Sequence, residues 1–529
     1  MIAKFFCAAA VTVATFALAT SAPGRAETPV RGGNLNFAVV AEPPNYDCHS
    51  QTTFGVTHPV APHYSYLLKF DAKNYPAIIG DLAESWEASA DGLTYTFRIA
   101  KDVLFHDGTP LTSADVKASY ERIIRPPAGI VSARQVYYAD FGQIDTPDEH
   151  TVVFHLKAPV AGVLPLLASP FNCIFSARKL EQNPRYPETE IMGSGAYTFL
   201  EHVRGSHWIA KRFDRYFKPG LPYLDGYKAY FVKSAAVVPG IMGGQFDAEF
   251  RFRSPAEKAQ MLSRMGDRVW VKEQPLVSAL IVFFNVQKKP FDDPRVRRAL
   301  SLAVDRWTAG EALGKISAIR YVGGVMRPGY EMALPDAELA QIPGYGRDPD
   351  AARAEAQKLL AEAGVNKLSF KLANRSGTDP YTTAAVYLVD QWRRIGVTAT
   401  HEQFETAQYQ ATLSNGTYEV AIEFISDYTD DPTAQFTKFL TRKASAVGYS
   451  NHTDNHIDEL YERQRRAVDP IARRKIVNEL DKYVLGKAYA VPFLWFQRIV
   501  VMPKKLHNWH ALPSHYLGQD LSDVWLAKE

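Results

Sequence analysis

The sequence predicts an α/β protein with more than one domain, on three observations. The chain has 529 residues, which exceeds the usual size of a single domain. Its first half contains segments in which apolar and polar residues alternate, such as 93–99 (LTYTFRI) and 151–156 (TVVFHL), a pattern typical of strands. From about residue 290 onward, longer helical patterns alternate with strands, which is typical of α/β folds with parallel strand pairing.

The N-terminal segment 1–26 is predicted to be a secretory signal. Lys4 provides a positive charge near the start, and residues 5–18 form an apolar stretch that is too short to span a bilayer comfortably. The triplet 24–26 (GRA) places small residues where a signal peptidase requires them. We therefore expect cleavage near Ala26 and an exported, soluble mature chain.

The segment 105–116, FHDGTPLTSADV, raises the question of catalysis because His106 and Asp107 are adjacent. Neighbouring side chains of an extended chain point to opposite faces, so these two cannot share a proton. The tetrapeptide DGTP is typical of a turn. Thr112, followed three residues later by Asp115, is typical of a helix N-cap with a capping box. We predict a turn and a helix start, without a catalytic role.

The second half of the chain carries the clearest signals for helices and strands. A Pro that follows an Asp predicts helix starts at Pro294 and Pro349. In the first of these helices, apolar residues recur at helical spacing as far as Trp307. The tail 504–529 contains two Trp residues and is predicted to pack against the rest of the chain. The remaining predicted elements are a strand at 368–372, a loop at 374–377, a helix at 381–394 and a strand at 418–425.

The mature chain is close to neutral and keeps two cysteines. Without Lys4 and Arg25, 58 basic residues stand against 57 acidic ones. This balance gives no electrostatic reason to expect binding to nucleic acid or to an anionic membrane. In an exported protein, Cys48 and Cys173 could form one disulfide or remain as two separately buried thiols, and both alternatives stay open.

The sequence contains no convincing catalytic or phosphate-binding motif. The triplet 193–195 (GSG) lacks the spacing of a nucleophile elbow. His401 and Glu402 begin like a zinc-protease helix, but the second His is missing. His452 and His456 are four residues apart, which on one helix could hold a metal, although the residues around them predict a turn. An exported zinc hydrolase that uses this His pair is the alternative of a different class.

The segment 424–432, FISDYTDDP, is the most informative candidate for ligand binding. It follows a predicted strand, and ligands of open α/β sheets bind just beyond the carboxyl ends of strands. Asp427 is placed to hold a cationic group such as an amine, with Tyr428 beside it. Arg375 follows the preceding strand and precedes a helix, which is a natural position for an anion site. A solvated loop arginine is the alternative for Arg375.

Motifs spread over almost the whole mature chain resemble the family 5 extracytoplasmic solute-binding proteins. These are the peptide-, opine-, nickel- and oligosaccharide-binding components of ABC importers. The most specific match is the segment 105–116, which serves as scaffold in that family. The other matches, in chain order, are Gly32-Gly33, Glu42-Pro43, 82–86 (LAESW), 91–97 (DGLTYTF), 215–217 (RYF), 244–247 (GQFD), Phe284-Asn285, 295–300 (RVRRAL), 356–364 (AQKLLAEAG) and Asp427-Tyr428.

The resemblance implies a two-lobe periplasmic-binding-protein clamp of type II, in the large cluster C form. Residues 27–285 would form lobe I with an extra subdomain at about 76–190, residues 286–499 would form lobe II, and the tail 500–529 would return to lobe I. The lobes would close on a solute that binds the closed state better than the open one. The protein would be a periplasmic monomer without cofactor or catalysis, and its partners would be permease and ATPase subunits. A periplasmic sensor or chaperone would use the same clamp.

Departures from the family pattern bear on the ligand. The usual G-T-G-P-Y reads 193–197 (GSGAY), and Phe424 is the residue nearest to the usual Trp. In peptide binders, an acid at the position of Asp427 takes the amino terminus, and dipeptide binders add an Arg for which Arg375 is only a candidate. A short peptide is the leading prediction, ahead of an opine-like or other amine-bearing solute and of a nickel chelate. The candidate ligand-binding residues are Asp427, Tyr428, Phe424, Arg375 and Tyr46.

Overall fold

A computed structural model describes residues 28–365, 367–376 and 378–528, so the predicted signal lies outside the described residues. Within them the strands are β1 (Asn34–Val39), β2 (Leu68–Phe70), β3 (Ile78–Gly80), β4 (Ala83–Ala88), β5 (Thr94–Ile99), β6 (Phe141–Asp148), β7 (Thr151–Leu156), β8 (Tyr197–Val203), β9 (His207–Arg212), β10 (Gly226–Phe231), β11 (Val269–Phe284), β12 (Ile319–Tyr321), β13 (Ser369–Arg375), β14 (Thr398–Phe404), β15 (Val420–Ser426), β16 (Ala490–Pro503), β17 (Leu506–His507) and β18 (Trp525–Leu526). The helices of the same residues are α1 (Phe54–Val60), α2 (Ser113–Ile124), α3 (Val163–Leu167), α4 (Ala177–Gln182), α5 (Ser234–Met242), α6 (Pro255–Met265), α7 (Pro294–Leu302), α8 (Arg306–Leu313), α9 (Asp336–Leu339), α10 (Pro349–Glu362), α11 (Thr383–Arg393), α12 (Thr406–Asn415), α13 (Pro432–Gln435), α14 (Asn455–Arg466) and α15 (Pro470–Lys487).

Two four-stranded sheets form the first part of the molecule, which we call lobe I (residues 28–268 and 504–528). One sheet has the strand order β1-β10-β9-β8, with β1 parallel to β10 and the other neighbours antiparallel. The other sheet has the order β4-β5-β7-β6 and is antiparallel throughout. Each sheet buries the apolar residues of its alternating strands, among them Trp208 in the first and Phe97 in the second.

A six-stranded mixed sheet forms the centre of the second part, which we call lobe II (residues 285–489). Its order is β12-β16-β11-β15-β13-β14. Strand β13 is parallel to β15, as predicted, and also to β14, which was not predicted as a strand. The long strands β11 and β16 pair antiparallel and join the two lobes. Ile499 of β16 packs in a lobe I core, whereas Leu494 of the same strand packs in the main core of lobe II.

Aspartate caps start the main helices of lobe II. The predicted starts at Pro294 and Pro349 are confirmed. The helical pattern that reaches Trp307 is divided, because the Asp305 side chain accepts a hydrogen bond from the Thr308 amide at 3.0 Å and begins α8. Among the described residues, no helix has the length and apolar character needed to cross a bilayer. The capping residues with bonded side chains are Asp293, Asp305, Asp348, Asp454 and Asp469.

The segment 105–116 forms the predicted turn and helix start. The Asp115 carboxylate accepts a hydrogen bond from the Thr112 amide at 2.8 Å at the beginning of α2. The His106 imidazole contacts the Gly195 carbonyl oxygen at 3.1 Å. Burial lowers the pKa of His106 to about 4, so the ring is neutral at ordinary pH. The segment therefore joins two parts of lobe I and has a structural role.

The two cysteines of the mature chain form a disulfide. Cys48 and Cys173 have Cα atoms 6.1 Å apart, and both residues are buried. The bond ties the segment ahead of α1 to the chain that follows α3, across 125 positions of sequence. This link holds in place the loop that carries Thr52, a residue of the cavity described below.

The C-terminal tail packs into lobe I, as its tryptophans predict. Trp509 and Trp525 are both buried, and β17 pairs with β18. The Trp509 ring lies 5.2 Å from that of Phe250, between ring centroids. The tail thereby brings Tyr516 to the junction of the two lobes.

Candidate functional site

A cavity of about 170 Å³ lies at the junction of the two lobes. Two of its lining residues come from lobe II and directly follow β15. The others come from lobe I, including its C-terminal tail. The lining residues are Thr52, Ala133, Arg134, Tyr137, Phe171, Asp427, Tyr428 and Tyr516. The position agrees with the rule that ligands of open α/β sheets bind beyond the carboxyl ends of strands.

Asp427 is the acid of this cavity. Its Oδ2 accepts a hydrogen bond from the Tyr137 hydroxyl of lobe I at 3.0 Å, and its Oδ1 accepts one from the Tyr428 amide at 2.6 Å. Burial raises the pKa of the Asp427 carboxyl above its ordinary value, and the Arg134 guanidinium opposes that rise. A carboxylate held in this way would gain from a cationic partner, because the partner would offset the free energy lost by desolvation.

Arg134 is the cation of the cavity, and it was missed by the sequence reasoning. Its guanidinium donates a hydrogen bond to the Gln51 carbonyl oxygen at 2.8 Å and lies 3.5 Å above the centroid of the Phe171 ring. The ring of Tyr428, from lobe II, is 6.0 Å from the same guanidinium. Arg134 lies in an irregular segment of lobe I, and neither a motif nor a helical or strand period marks it in the sequence.

Arg375 and Phe424 lie together in a second cluster and are absent from the lining of the cavity. Arg375 is the last residue of β13 rather than a loop residue, because β13 continues to pair with β14 through that position. Its guanidinium forms an ion pair of 2.8 Å with the buried Glu423 and lies 4.8 Å from the centroid of the Phe424 ring. Lys438 binds the same glutamate at 3.0 Å. Glu423 therefore neutralises much of the charge that was predicted to attract an anion.

Tyr46 lies elsewhere in lobe I. Its hydroxyl is 2.9 Å from Nδ1 of His202, and its ring meets the Trp208 ring edge-on with centroids 5.0 Å apart. These contacts place Tyr46 beside the sheet that contains β8 and β9. It is also absent from the residues that line the cavity.

The next two acids after Asp427 are each paired with an arginine of their own lobe. Asp430 accepts hydrogen bonds from Arg327 at 2.8 Å, and Asp431 accepts them from Arg473 at 2.8 and 2.9 Å. Asp431 also caps α13, as the predicted turn requires. Asp430 also accepts a hydrogen bond from the Tyr75 hydroxyl of lobe I at 2.9 Å, so it contacts both lobes, whereas the ion pair of Asp431 lies within lobe II.

The two histidines considered as metal ligands do not share a site. His452 precedes α14 and stacks on Tyr489, with ring centroids 4.4 Å apart, whereas His456 lies in the first turn of α14 against Tyr483. His401 lies on β14 and not on a helix. Over the residues that the structure describes, no group of three potential ligands could hold a metal ion.

A larger cavity, of about 250 Å³, lies wholly within lobe I beneath the C-terminal tail. Tyr516 lines both this cavity and the cavity at the lobe junction. A solute held by one lobe alone cannot favour closure of two lobes, because it contacts both states equally. Of these two cavities, the smaller one is therefore the candidate for solute capture. Another cavity of about 180 Å³ also lies between the lobes, but its acids Asp430 and Asp431 are already paired with arginines.

The family is settled by comparison with known proteins. A model of the bacterial extracellular solute-binding proteins, family 5, matches residues 77–446. The chain belongs to this family. Glutathione-binding protein GsiB of Escherichia coli (strain K12) is 24% identical over 450 residues, which are 82% of this chain and 83% of GsiB.

Solved structures agree with this family assignment. AgaA of A. tumefaciens R10, in complex with agropinic acid, is 25% identical with a TM-score of 0.76, over 94% of this chain and 99% of AgaA. DppA of Helicobacter pylori, in complex with the peptide STSA, shares the fold with a TM-score of 0.76 at 21% identity and the same coverage. The predicted two-lobe clamp is confirmed.

Family membership defines the general function. The protein is a substrate-binding component of an ABC importer, and such proteins work with permease and ATPase subunits. Proteins of this family are periplasmic. Its relatives bind solutes and are not enzymes, so the alternative of a zinc hydrolase is wrong.

Proposed function

We propose that the protein captures a short peptide, or a peptide-like zwitterion, in the cavity at the lobe junction. The observation that carries this proposal is the pairing of one acid from lobe II, Asp427, with one cation from lobe I, Arg134, around about 170 Å³. A solute with an ammonium and a carboxylate group would bind both and so bridge the lobes. A singly charged solute would leave one of these charges without a partner from the solute, and a neutral solute would leave both.

Five side chains of the cavity contact the solute in this proposal. Asp427 accepts hydrogen bonds from the solute ammonium and Arg134 donates to its carboxylate, since charge-assisted bonds are the stronger ones. Tyr428, Phe171 and Tyr516 provide aromatic walls against the body of the solute. Arg375, Phe424 and Tyr46 are left outside this proposed site, because their contacts are to other partners.

The volume of the cavity sets the size of the solute. A cavity of about 170 Å³ is at or below the low end of small-molecule sites, which are typically about 300–1,000 Å³. A dipeptide with small side chains suits this space better than a long peptide. GsiB is named for glutathione, a short peptide with free charged ends, which supports the same class.

An opine-like solute is the second candidate. AgaA, at 25% identity, was solved with agropinic acid. An opine with a free amine and a carboxylate group would meet Asp427 and Arg134 in the same way, whereas a lactam such as agropinic acid offers only its carboxylate to Arg134. A nickel chelate has less support, because the residues of the cavity offer one carboxylate and no imidazole.

Calorimetry with three related probes tests the proposal. L-alanyl-L-alanine, its N-acetyl derivative and its C-terminal amide differ in the charged ends that the cavity would bind. The N-acetyl derivative is also larger, so the amide, which has almost the size of the dipeptide, is the stricter comparison. We expect the unmodified dipeptide to bind at least about tenfold more tightly than either derivative, because a hydrogen bond to a charged group contributes about 1.5–3 kcal/mol. Equal affinity for all three would contradict the proposal.

Mass spectrometry of the solute that copurifies from periplasmic extracts covers the case in which none of these probes binds. A copurified molecule with both an ammonium and a carboxylate group supports the proposal, and one without an ammonium group overturns it. The variants Asp427→Asn and Arg134→Met should each weaken binding of an active probe. Their thermal unfolding should be followed in parallel, because Arg134 also bonds to Gln51.

We also propose export, organisation and assembly from the sequence. The signal 1–26 would be removed near Ala26, and the mature chain would act as a monomer. From the sequence we propose bounds of 27–285 with the tail 500–529 for lobe I, and of 286–499 for lobe II. Separate hydrophobic cores support two lobes, although Leu276 and Phe284 of β11 pack in the main core of lobe II. N-terminal sequencing and light scattering of periplasmic material test the cleavage site and the monomer.

A further inference from the structure

A second set of contacts joins the lobes outside the solute cavity. Asp140 lies in lobe I just before β6, and Arg465 and Arg466 lie at the C-terminal end of α14 in lobe II. None of these three residues lines the cavity that contains Asp427. We call the three residues the lobe latch.

The geometry of the latch is that of a well-formed ion pair. Oδ2 of Asp140 is 2.6 Å from Nη2 of Arg465 and 2.9 Å from Nη1 of Arg466, and Oδ1 is 3.1 Å from Nη2 of Arg466. One carboxylate therefore accepts a hydrogen bond from each of two guanidinium groups, and Nη1 of Arg466 adds a third ion-pair contact. Both arginines also lie where a helix favours positive charge, at its C-terminal end.

Backbone contacts continue the latch. The Ala161 amide of lobe I donates to the Arg465 carbonyl oxygen at 2.8 Å, and Arg466 donates to the Pro159 carbonyl oxygen at 3.2 Å. Glu462, one turn earlier on α14, pairs with Arg465 at 2.8 Å and keeps that side chain extended toward lobe I. Asp140 and Arg465 have side chains that are only 16% and 12% exposed, so solvent screens their interaction less than it screens a surface pair.

These contacts exist only while the lobes are together. Opening the clamp would separate Asp140 from both arginines, so the latch lowers the free energy of the closed state and leaves that of the open state unchanged. We propose that Asp140 is a positioning residue for solute capture, which raises the closed population through Arg465 and Arg466 without touching the solute. This role does not depend on the identity of the solute.

Small-angle X-ray scattering on solute-free protein tests the latch directly. For Asp140→Asn we expect the ratio of open to closed molecules to rise about tenfold, within the range of allosteric couplings, and the radius of gyration to increase. Raising NaCl from about 50 mM to about 1 M should open the wild-type protein only slightly, because a partly buried ion pair is screened less than a surface pair, and should change the variant even less. Asp140→Glu, which keeps the charge, should restore most of the closed form.

A matched control separates this effect from general loss of surface charge. Glu338 and Lys482 form an ion pair of 2.5 Å entirely within lobe II. Glu338→Gln should leave the radius of gyration and its salt response unchanged. Thermal unfolding of every variant shows whether the fold is intact, and Arg466→Gln replaces Asp140→Asn if the latter does not fold.

Three outcomes would overturn the latch. The first is an unchanged radius of gyration in both Asp140→Asn and Arg466→Gln. The second is equal opening in the Glu338→Gln control. The third is equal opening in Asp140→Glu and Asp140→Asn. Because no solute is used, a failure here is distinct from a failure of the dipeptide experiment.

Discussion

Asp427 and Asp431 follow the same strand of lobe II, four residues apart, and their surroundings differ in one decisive respect. Asp431 has a cation of its own lobe, Arg473, at 2.8 Å. Asp427 receives its side-chain hydrogen bond from Tyr137, which belongs to the other lobe. Arg473 lowers the pKa of Asp431, although burial opposes it, whereas burial raises the pKa of Asp427.

The difference separates acids that hold the fold from acids that respond to closure. An acid paired within one lobe keeps its partner whether the clamp is open or closed. An acid that faces the opposite lobe loses its partner when the clamp opens and is then free to meet a solute. Burial and charge alone do not distinguish the two, so the lobe that supplies the partner is the more useful criterion.

Breaking the pair within lobe II should give the largest effect. Arg473→Ala leaves the Asp431 carboxylate buried without its cation, so we expect the free energy of unfolding to fall by about 3–5 kcal/mol. The double variant Asp431→Asn/Arg473→Met removes both charges and should lose less than half of that. Denaturant unfolding followed by circular dichroism measures both, and equal losses would contradict the pairing argument.

The pH dependence of this pair has a defined sign. The pKa of Asp431 is lowered in the folded protein, so its contribution to stability is complete above the pKa of the unfolded chain, about 3.9. That contribution is lost as the pH falls through the lowered folded value. In strongly acidic solution, Arg473→Ala and the wild type should therefore have nearly the same free energy of unfolding.

Asp481 extends the comparison to an acid that, among the described residues, has neither a cationic partner nor a partner from the opposite lobe. It is fully buried on α15 and accepts a hydrogen bond from the Val325 amide at 2.9 Å, and burial raises its pKa to about 7. Between about pH 4 and about pH 7 the folded state binds more protons than the unfolded state, so stability falls as the pH rises. Asp481→Asn should remove this slope and raise the free energy of unfolding at pH 8 by about 2–4 kcal/mol. The free energy of unfolding should be measured between about pH 4 and about pH 8, and the same pH dependence in both proteins would refute this explanation.

Asp427→Asn should affect binding rather than stability. We expect affinity for an ammonium-bearing probe such as L-alanyl-L-alanine to fall by about 1.5–3 kcal/mol, while the unfolding temperature stays the same or rises. Because the pKa of Asp427 is raised, wild-type affinity should begin to fall on acidification above the ordinary aspartate value of about 3.9. The variant should lack that fall in affinity, and calorimetry over a pH series compares the two. A variant that binds the dipeptide as tightly as the wild type rules out the proposed role of Asp427.

Much of the fold was predictable because it depends on neighbours in the chain. Alternation predicted β5 and β7, and the Asp-Pro pairs predicted the starts of α7 and α10. These signals express local hydrogen bonding and the burial of one face, which a few adjacent residues determine. The division between α7 and α8 was not predicted. Apolar residues keep their helical spacing across Asp305, and this spacing hid the N-cap that begins α8.

The candidate site could be predicted on one side only. Asp427 was proposed because a strand end marks it. Arg134 lies in the other lobe, and its neighbour Tyr137 is 290 positions away from Asp427 in the chain. Arg375 was predicted as a loop residue open to an anion, and Glu423, from an adjacent strand, became its partner. Contacts across strands and lobes depend on the folded arrangement and leave no local pattern.

Tyr137→Phe gives the smallest expected effect and tests the lobe criterion most directly. The change removes the hydroxyl that donates to Asp427 at 3.0 Å and keeps the ring. A neutral hydrogen bond contributes about 0.5–1.5 kcal/mol, and one to a charged group somewhat more. If that bond belongs to the closed state, its loss should raise the radius of gyration of the solute-free protein in X-ray scattering. The free energy of unfolding should stay nearly unchanged.

The matched change Tyr138→Phe removes a hydroxyl that bonds to Leu166 and Asn172 within lobe I, so it should reduce stability without affecting closure. The opposite pattern, in which Tyr138→Phe opens the clamp and Tyr137→Phe only destabilises it, would show that the lobe supplying the partner does not separate structural from responsive acids.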